Sequence, residues 1–113
     1  MKLTISRAAA ARTSYRFSAV CAEKEIGHVY CYLIRNDLHE TPYALVEDLA
    51  VDDTYRGKGV ARMLMNALHS TAIENHCYKV IANSHEKRDA ARALYLSLGY
   101  AAHATEFRLD LKY

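Results

Sequence analysis

Val46-Glu47-Asp48-Leu49-Ala50-Val51-Asp52-Asp53-Thr54-Tyr55-Arg56-Gly57-Lys58-Gly59-Val60-Ala61 carries the decisive pattern of this chain. It belongs to a strand-like run, Tyr43–Val51, whose apolar residues are interrupted by two adjacent acids. Asp52-Asp53-Thr54 breaks the strand, and two of the four glycines follow within Arg56–Gly59. From Val60 onward Met63, Leu64, Ala67, Leu68 and Thr71 recur at helical spacing, so the segment reads strand, glycine loop, helix. Such a loop offers the backbone N–H groups of a helix start and the positive end of its dipole to a phosphate, and Arg56, Lys58 and Arg62 add positive charge. The spacing excludes G-x-x-x-x-G-K-[ST] and, because position 62 is Arg, also G-x-G-x-x-G. An ordinary strand-to-helix turn with solvated basic residues is the plain alternative.

Working outward, Leu3–Ser6 is a short strand candidate, Tyr15–Cys21 alternates, and Ile26–Ile34 is rich in Val, Tyr and Ile, with Gly27 placed to ease a bulge or turn. Asn36–Pro42 is a turn-rich connection that no central strand could hold. On the other side, Tyr78–Ala82 reads as a short buried strand. Arg88–Leu98 reads as a helix with Ala91, Leu94, Tyr95 and Leu98 inward, and Gly99 stands where a left-handed residue ends a helix. Phe107, Leu109 and Leu111 alternate with Arg108, Asp110 and Lys112 as a half-exposed terminal strand. Strands first, then β-α-β-α-β, make this an α/β (α+β) chain. No repeat or linker divides it, so residues 1–113 are expected to form one domain.

With 113 residues, 51% hydrophobic, and a net charge of +2, the chain has enough apolar matter for one core and too little charge for disorder. No apolar run approaches the ~18 residues of a membrane helix, so no membrane association is expected. Cys21, Cys31 and Cys77 are odd in number and form no C-x-x-C pair, which points to a reducing, cytoplasmic setting. His69, His76 and Cys77 lack the ligand spacing of a structural zinc site, and no metal is expected. Lys2, Arg7, Arg12 and Arg16 form an acid-free start that is transit-peptide-like in composition but strand-like in alternation. Without stacked aromatics or a recognised module these four cations do not make a nucleic-acid partner an expectation.

The strand and loop of Val46–Val51 and Tyr55–Ala61, joined downstream by Ala91-Arg92-Ala93-Leu94-Tyr95-Leu96-Ser97-Leu98-Gly99-Tyr100, resemble two motifs of the GNAT superfamily of acetyl-CoA-dependent N-acetyltransferases in their usual order. Glu47-Asp48 with Cys77-Tyr78-Lys79 is also reminiscent of the glucosamine-6-phosphate N-acetyltransferases within it. The resemblance implies a mixed, mostly antiparallel central sheet of about six to seven strands flanked by two main helices. Residues 1–43 would be abbreviated N-terminal strands and residues 44–113 the acetyl-CoA-binding core. Backbone N–H groups of Arg56, Gly57, Lys58, Gly59, Val60 and Ala61 would hold the CoA pyrophosphate. The edge of Leu49, Ala50 and Val51 would pair with the pantetheine arm as a further strand does. Arg88 stands where the family often has a cofactor-contacting Asn.

The implied reaction is direct transfer of acetyl from acetyl-CoA to a primary amine. Because such an amine has a pKa near ~10, it must lose a proton before attack, and Glu47 is the candidate base. Strict alternation would send Asp48 to the opposite face, so only one of the two acids is expected to serve. Tyr95 occupies the family position of the general acid that protonates the departing thiolate. The plainer readings are an edge-strand acid facing solvent or pairing with Arg108 or Lys112, and a core aromatic at helical spacing. Cys77 has no activating His at a recognisable spacing and reads as a structural thiol, so no covalent intermediate is required.

Only Arg7–Ser14 separates the first two candidate strands, where the family usually has two helices that wall the acceptor pocket. The acceptor side is therefore expected to be open, suiting a protein amine, or completed by a second subunit, suiting a small amine. A homodimer is compatible with this, since an exposed sheet edge is readily covered by a twin. From a different class, a non-catalytic acyl-CoA-binding or regulatory module would keep the loop and lack a competent acceptor site.

Overall fold

The computed structural model describes residues 12–84 and 89–113, which fall into two compact units divided between Ile81 and Ala82. The expected strand at Leu3–Ser6 and the cofactor contact at Arg88 lie outside the described residues.

In the first unit β1 (Arg12–Cys21), β2 (Lys24–Ile34) and β3 (Tyr43–Val51) form an antiparallel ladder, and β4 (Val80–Ala82) joins the far edge of β3. Approach to β4 is marked by Tyr78 N–H to Pro42 C=O (3.1 Å) and Ala44 N–H to Lys79 C=O (3.0 Å). These bonds advance along both segments in the same direction, so the sheet is mixed. A one-turn 3-10 segment (Asp53–Tyr55) leads to α1 (Val60–Glu74).

β1 and β2 close through a two-residue turn, Ala22-Glu23, flanked by the pair Cys21 and Lys24. Both turn residues have positive φ, 50° and 65°, as the hairpin turn that matches strand twist requires. Ala-Glu carries none of the Asn-Gly or Asp-Gly signature of that turn, which is why the sequence pattern does not announce it. Gly27 sits beside a register shift, and a Cβ there would lie 3.0 Å from the Ala50 carbonyl oxygen and 3.3 Å from Leu64 Cδ1. Only glycine admits β3 and α1 this close.

The core lies on one face of the sheet. Val29, Cys31 and Leu33 of β2 and Ala44 and Val46 of β3 are buried with Leu64, Met65, Leu68 and Ala72 of α1. That stripe is rotated from the expected one: Met63 and Ala67 are exposed and Met65 is fully buried. Both stripes satisfy helical spacing through Leu64 and Leu68, and contact with the sheet selects between them.

In the second unit α2 (Asp89–Ser97) turns Tyr95 inward, with Ala91, Leu94 and Leu98 half-buried as the spacing predicts. It ends in a Schellman motif: Gly99 N–H bonds the Leu96 carbonyl (3.2 Å) and Tyr100 N–H the Tyr95 carbonyl (3.0 Å). Gly99 takes φ 93°, the left-handed terminator its position predicts, and the Tyr95 and Tyr100 rings meet at 5.4 Å. The expected terminal strand is not formed. Residues 101–113 make no strand, and Phe107, Leu109 and Leu111 are exposed, so four strands stand among the described residues instead of six to seven. Alternation gives a segment the period of a strand, but a strand exists only when its backbone finds a ladder.

Candidate active site

Between His28 and Tyr30 the ladder to β3 slips: His28 faces Ala50 and Tyr30 faces Glu47, leaving Asp48 and Leu49 opposite Val29 alone. This is a β-bulge, and Asp48 adopts φ 53° within it. The expectation that Glu47 and Asp48 point to opposite faces is corrected here. The bulge interrupts alternation, and both carboxylates are exposed and line one open cleft of about 540 Å³ with Tyr30, Tyr32, Leu33, Ile34 and Leu45.

The cleft lies on the face of β2 opposite the core, because Tyr30 and Tyr32 alternate with buried Val29, Cys31 and Leu33. Their rings stack nearly parallel, 9° apart at 6.3 Å, and Tyr30 stands directly across from Glu47. Glu47 has no hydrogen-bond or ion-pair partner among the described residues of its own unit. Asp48 Oδ2 lies 3.0 Å from His28 Nε2, and His28 Nδ1 lies 4.0 Å from Glu25. Glu25 in turn holds Arg16, which also donates to the Tyr30 hydroxyl at 3.1 Å. That bond to Arg16 holds the Glu25 carboxyl down at about 2. His28, Tyr30 and Tyr32 were not anticipated; the signal was the alternation of Ile26–Ile34 combined with its pairing to β3, which no single segment displays.

Past the bulge, Ala50 and Val51 pair with β2 on one edge, and no described strand of this unit pairs with their other edge. β4 has three residues, and its bonds begin at Pro42 and Ala44, so it ends short of this stretch. The free edge leads directly into the loop. Gly57 and Gly59 have φ 73° and 83°, and a Cβ at either would meet nothing within 4 Å, so glycine is required by the backbone and the space above the loop is open. Gly59 caps α1 without a side-chain bond, no acid occupies the first turn, and Met63 N–H is the first to reach back, to Gly59 C=O at 3.0 Å. The N–H groups of Val60 and Ala61 thus face away from the helix ladder. Lys58 Nζ sits 5.4 Å from the Tyr55 ring, and Arg56 Nη2 lies 3.1 Å from Asp53 on the exposed surface. The residues expected to hold a pyrophosphate thus form an open glycine loop at an uncapped helix start.

Tyr95 is buried in the second unit, where its ring packs on Tyr100. Cys77 is half-buried, and burial raises its thiol pKa against the opposing field of Arg35; Cys31, fully buried, is pushed up to about 11. Neither is activated as a nucleophile. Among the described residues no group of His, Cys, Asp or Glu is arranged for a metal ion, and no helix is long and apolar enough to cross a membrane.

The family model of the acetyltransferase (GNAT) family matches residues 4–100. A glucosamine 6-phosphate N-acetyltransferase of Trypanosoma brucei brucei is 41% identical over 66 residues, 58% of this chain and 43% of the relative. An acetyltransferase structure from Trypanosoma brucei matches with a TM-score of 0.75 at 29% identity, covering 88% of this chain and 69% of that one. An aminoglycoside acetyltransferase from an uncultured soil metagenomic sample matches with a TM-score of 0.80 at 26% identity, covering 88% and 66%. The chain spans less than half the length of the curated relatives it matches. With the family model matched along most of its length, this chain belongs to the acetyltransferase (GNAT) family.

Proposed function

We propose that the chain transfers an acetyl group from acetyl-CoA to a primary amine by direct attack. The observation that supports this reading is the continuity of Glu47–Ala61: a solvent-open carboxylate, a strand edge with no partner among the described residues of its unit and an open glycine loop at a helix start follow one another along a single segment. Acetyl-CoA supplies the thioester and is the co-substrate. Backbone N–H groups of the Arg56–Ala61 loop bind its pyrophosphate, and the Leu49–Val51 edge receives the amide-bearing arm as an added strand.

Glu47 accepts the proton of the incoming ammonium, directly or through one water, so that the amine lone pair attacks the thioester carbonyl carbon. The new C–N bond forms, the C–S bond breaks, the Tyr95 hydroxyl protonates the departing thiolate, and the second proton of the attacking nitrogen leaves through water to restore the Tyr95 hydroxyl. The cleft lining carries two acids and no base, so a cationic amine on an apolar or ring-bearing body suits it better than a phosphorylated one. The open mouth suits a small or a protein-borne amine.

The test measures CoA thiol release across a panel of amines, beside thermal unfolding with acetyl-CoA and with ATP as a phosphate-bearing control. Stabilisation by acetyl-CoA alone, with turnover on at least one amine, supports the reading; binding with no transfer across the panel would identify a non-catalytic module. Glu47→Gln is expected to lower turnover about 100-fold or more with acetyl-CoA affinity retained. Equal activity of that variant from pH 6 to 9 would remove Glu47 from the role.

A further inference from the structure

Arg16, Tyr30 and Glu47 stand in one row across the sheet: Arg16 of β1 is the ladder partner of Tyr30 in β2, and Tyr30 is that of Glu47 in β3. Cross-strand partners share a face, and for this row it is the face away from the core, where the cleft opens. Arg16 is tied down on several sides. Its Nη1 donates to Ser18 Oγ at 2.7 Å and to Glu25 Oε1, and its Nη2 donates to Glu25 Oε2 at 2.9 Å. Its Nε donates to the Tyr30 hydroxyl at 3.1 Å, and the guanidinium carbon lies 5.4 Å from the centre of the Tyr30 ring. Arginine carries donors only, so the Tyr30 oxygen accepts this bond and its own hydrogen is left to donate elsewhere. That hydrogen has no acceptor among the described residues of its own unit.

We propose that Tyr30 is a specificity-determining residue, whose hydroxyl donates a hydrogen bond to an oxygen carried by the amine acceptor, and that Arg16 is the residue that positions it. This inference rests on the acetyl-transfer reading above. In the cleft lining the Glu47 and Asp48 carboxylates suit a cationic amine, and the Tyr30 and Tyr32 rings with Leu45 suit an apolar body. The Tyr32 hydroxyl has no partner among the described residues of its own unit, so it can turn to donate or to accept. Only Tyr30 is committed to donating before a ligand arrives. Its ring is stacked on Tyr32 at 6.3 Å and meets the His28 ring edge-on at 5.9 Å, so ring and hydroxyl are both held in place. A donor fixed in advance discriminates, because an acceptor without the oxygen leaves it unpaired in the complex.

The experiment compares linear amino alcohols of increasing length with the n-alkylamines of equal length, as kcat/KM from CoA thiol release. Wild type is expected to favour the amino alcohol by about tenfold or more at one length at least. Tyr30→Phe keeps the ring and removes only the hydroxyl, so it should bring that ratio to about one. Arg16→Leu should lower the ratio with Tyr30 in place. Both members of a pair are read on the same protein, so any loss of folded enzyme cancels from the ratio. Transfer to no amine at all would sink the acetyl-transfer reading and this inference with it. Transfer in which wild type ignores the oxygen, or is confined to amines without one, overturns this inference alone. A preference that survives Tyr30→Phe does the same, as does a Tyr30→Phe loss equal on both members, which would assign the hydroxyl to Glu47. An Arg16→Leu ratio equal to that of wild type would overturn the positioning role.

Discussion

His28 Nε2 lies 3.0 Å from Asp48 Oδ2, and the contact spans the bulge that turns Asp48 onto the same cleft as Glu47. Asp48 is the β3 residue with a positive φ, a conformation that Asp and Asn tolerate and β-branched residues do not. Asp48→Asn is expected to change stability by less than about 0.5 kcal/mol, whereas Asp48→Val should cost about 2 kcal/mol through backbone strain and the lost contact. Urea denaturation of the two variants checks the difference. Equal costs would show that the bulge does not depend on residue 48.

Gly59 separates a backbone requirement from a ligand requirement. Gly59→Ala should lose about 1–2 kcal/mol of stability, because φ 83° is unfavourable for any side chain while the space around the Cβ is open. Gly59→Glu should lose a similar amount and in addition weaken acetyl-CoA binding at least tenfold, since a carboxylate would face the proposed pyrophosphate site. Isothermal titration with acetyl-CoA on both variants reads the second effect against the first.

Glu25 and Arg16 predict an acid-sensitive contribution. The Arg16 bond lowers the Glu25 carboxyl from 4.5 to about 2, so its folded-state pKa lies below the unfolded value. The contribution is therefore fully present above about pH 4.5 and is lost as pH falls toward about 2. Melting temperatures of wild type and Glu25→Gln should differ at neutral pH and converge across that window. Both side chains are exposed, so the difference will be small and will shrink with added salt.

The hairpin Ala22-Glu23 holds two non-glycine residues at positive φ. Ala22→Asn with Glu23→Gly supplies the residues this turn favours and should stabilise the chain by about 1 kcal/mol or more, without altering acetyl-CoA affinity. Chemical denaturation measures it. A destabilised double variant would mean that Ala22 or Glu23 makes a contribution beyond the turn.

The order of strand, glycine loop and helix was legible because each part is local. Gly57 and Gly59 announce a turn, Leu64 and Leu68 announce a helix, and Gly99 after Tyr95 and Leu98 announces its end. The cleft was not legible in the same way. Tyr30 and Tyr32 become its wall only because their alternation partners, Val29, Cys31 and Leu33, are claimed by α1, and that choice is made across a sequence gap. The expected terminal strand shows the converse: Phe107, Leu109 and Leu111 have the period of a strand, yet their ladder is not formed within the described residues.

By itself the sequence determined the strand, glycine loop and helix of Tyr43–Glu74, the helix ending at Gly99 and the presence of an acidic pair, since these depend on backbone propensities and spacings within a few residues. Tertiary structure alone decided which way that pair faces. Alternation along β3 predicts opposite faces for Glu47 and Asp48, and only the pairing with β2, where Val29 opposes two residues, creates the bulge that brings both to the cleft. A bulge is a mismatch between two strands, so neither strand carries it alone.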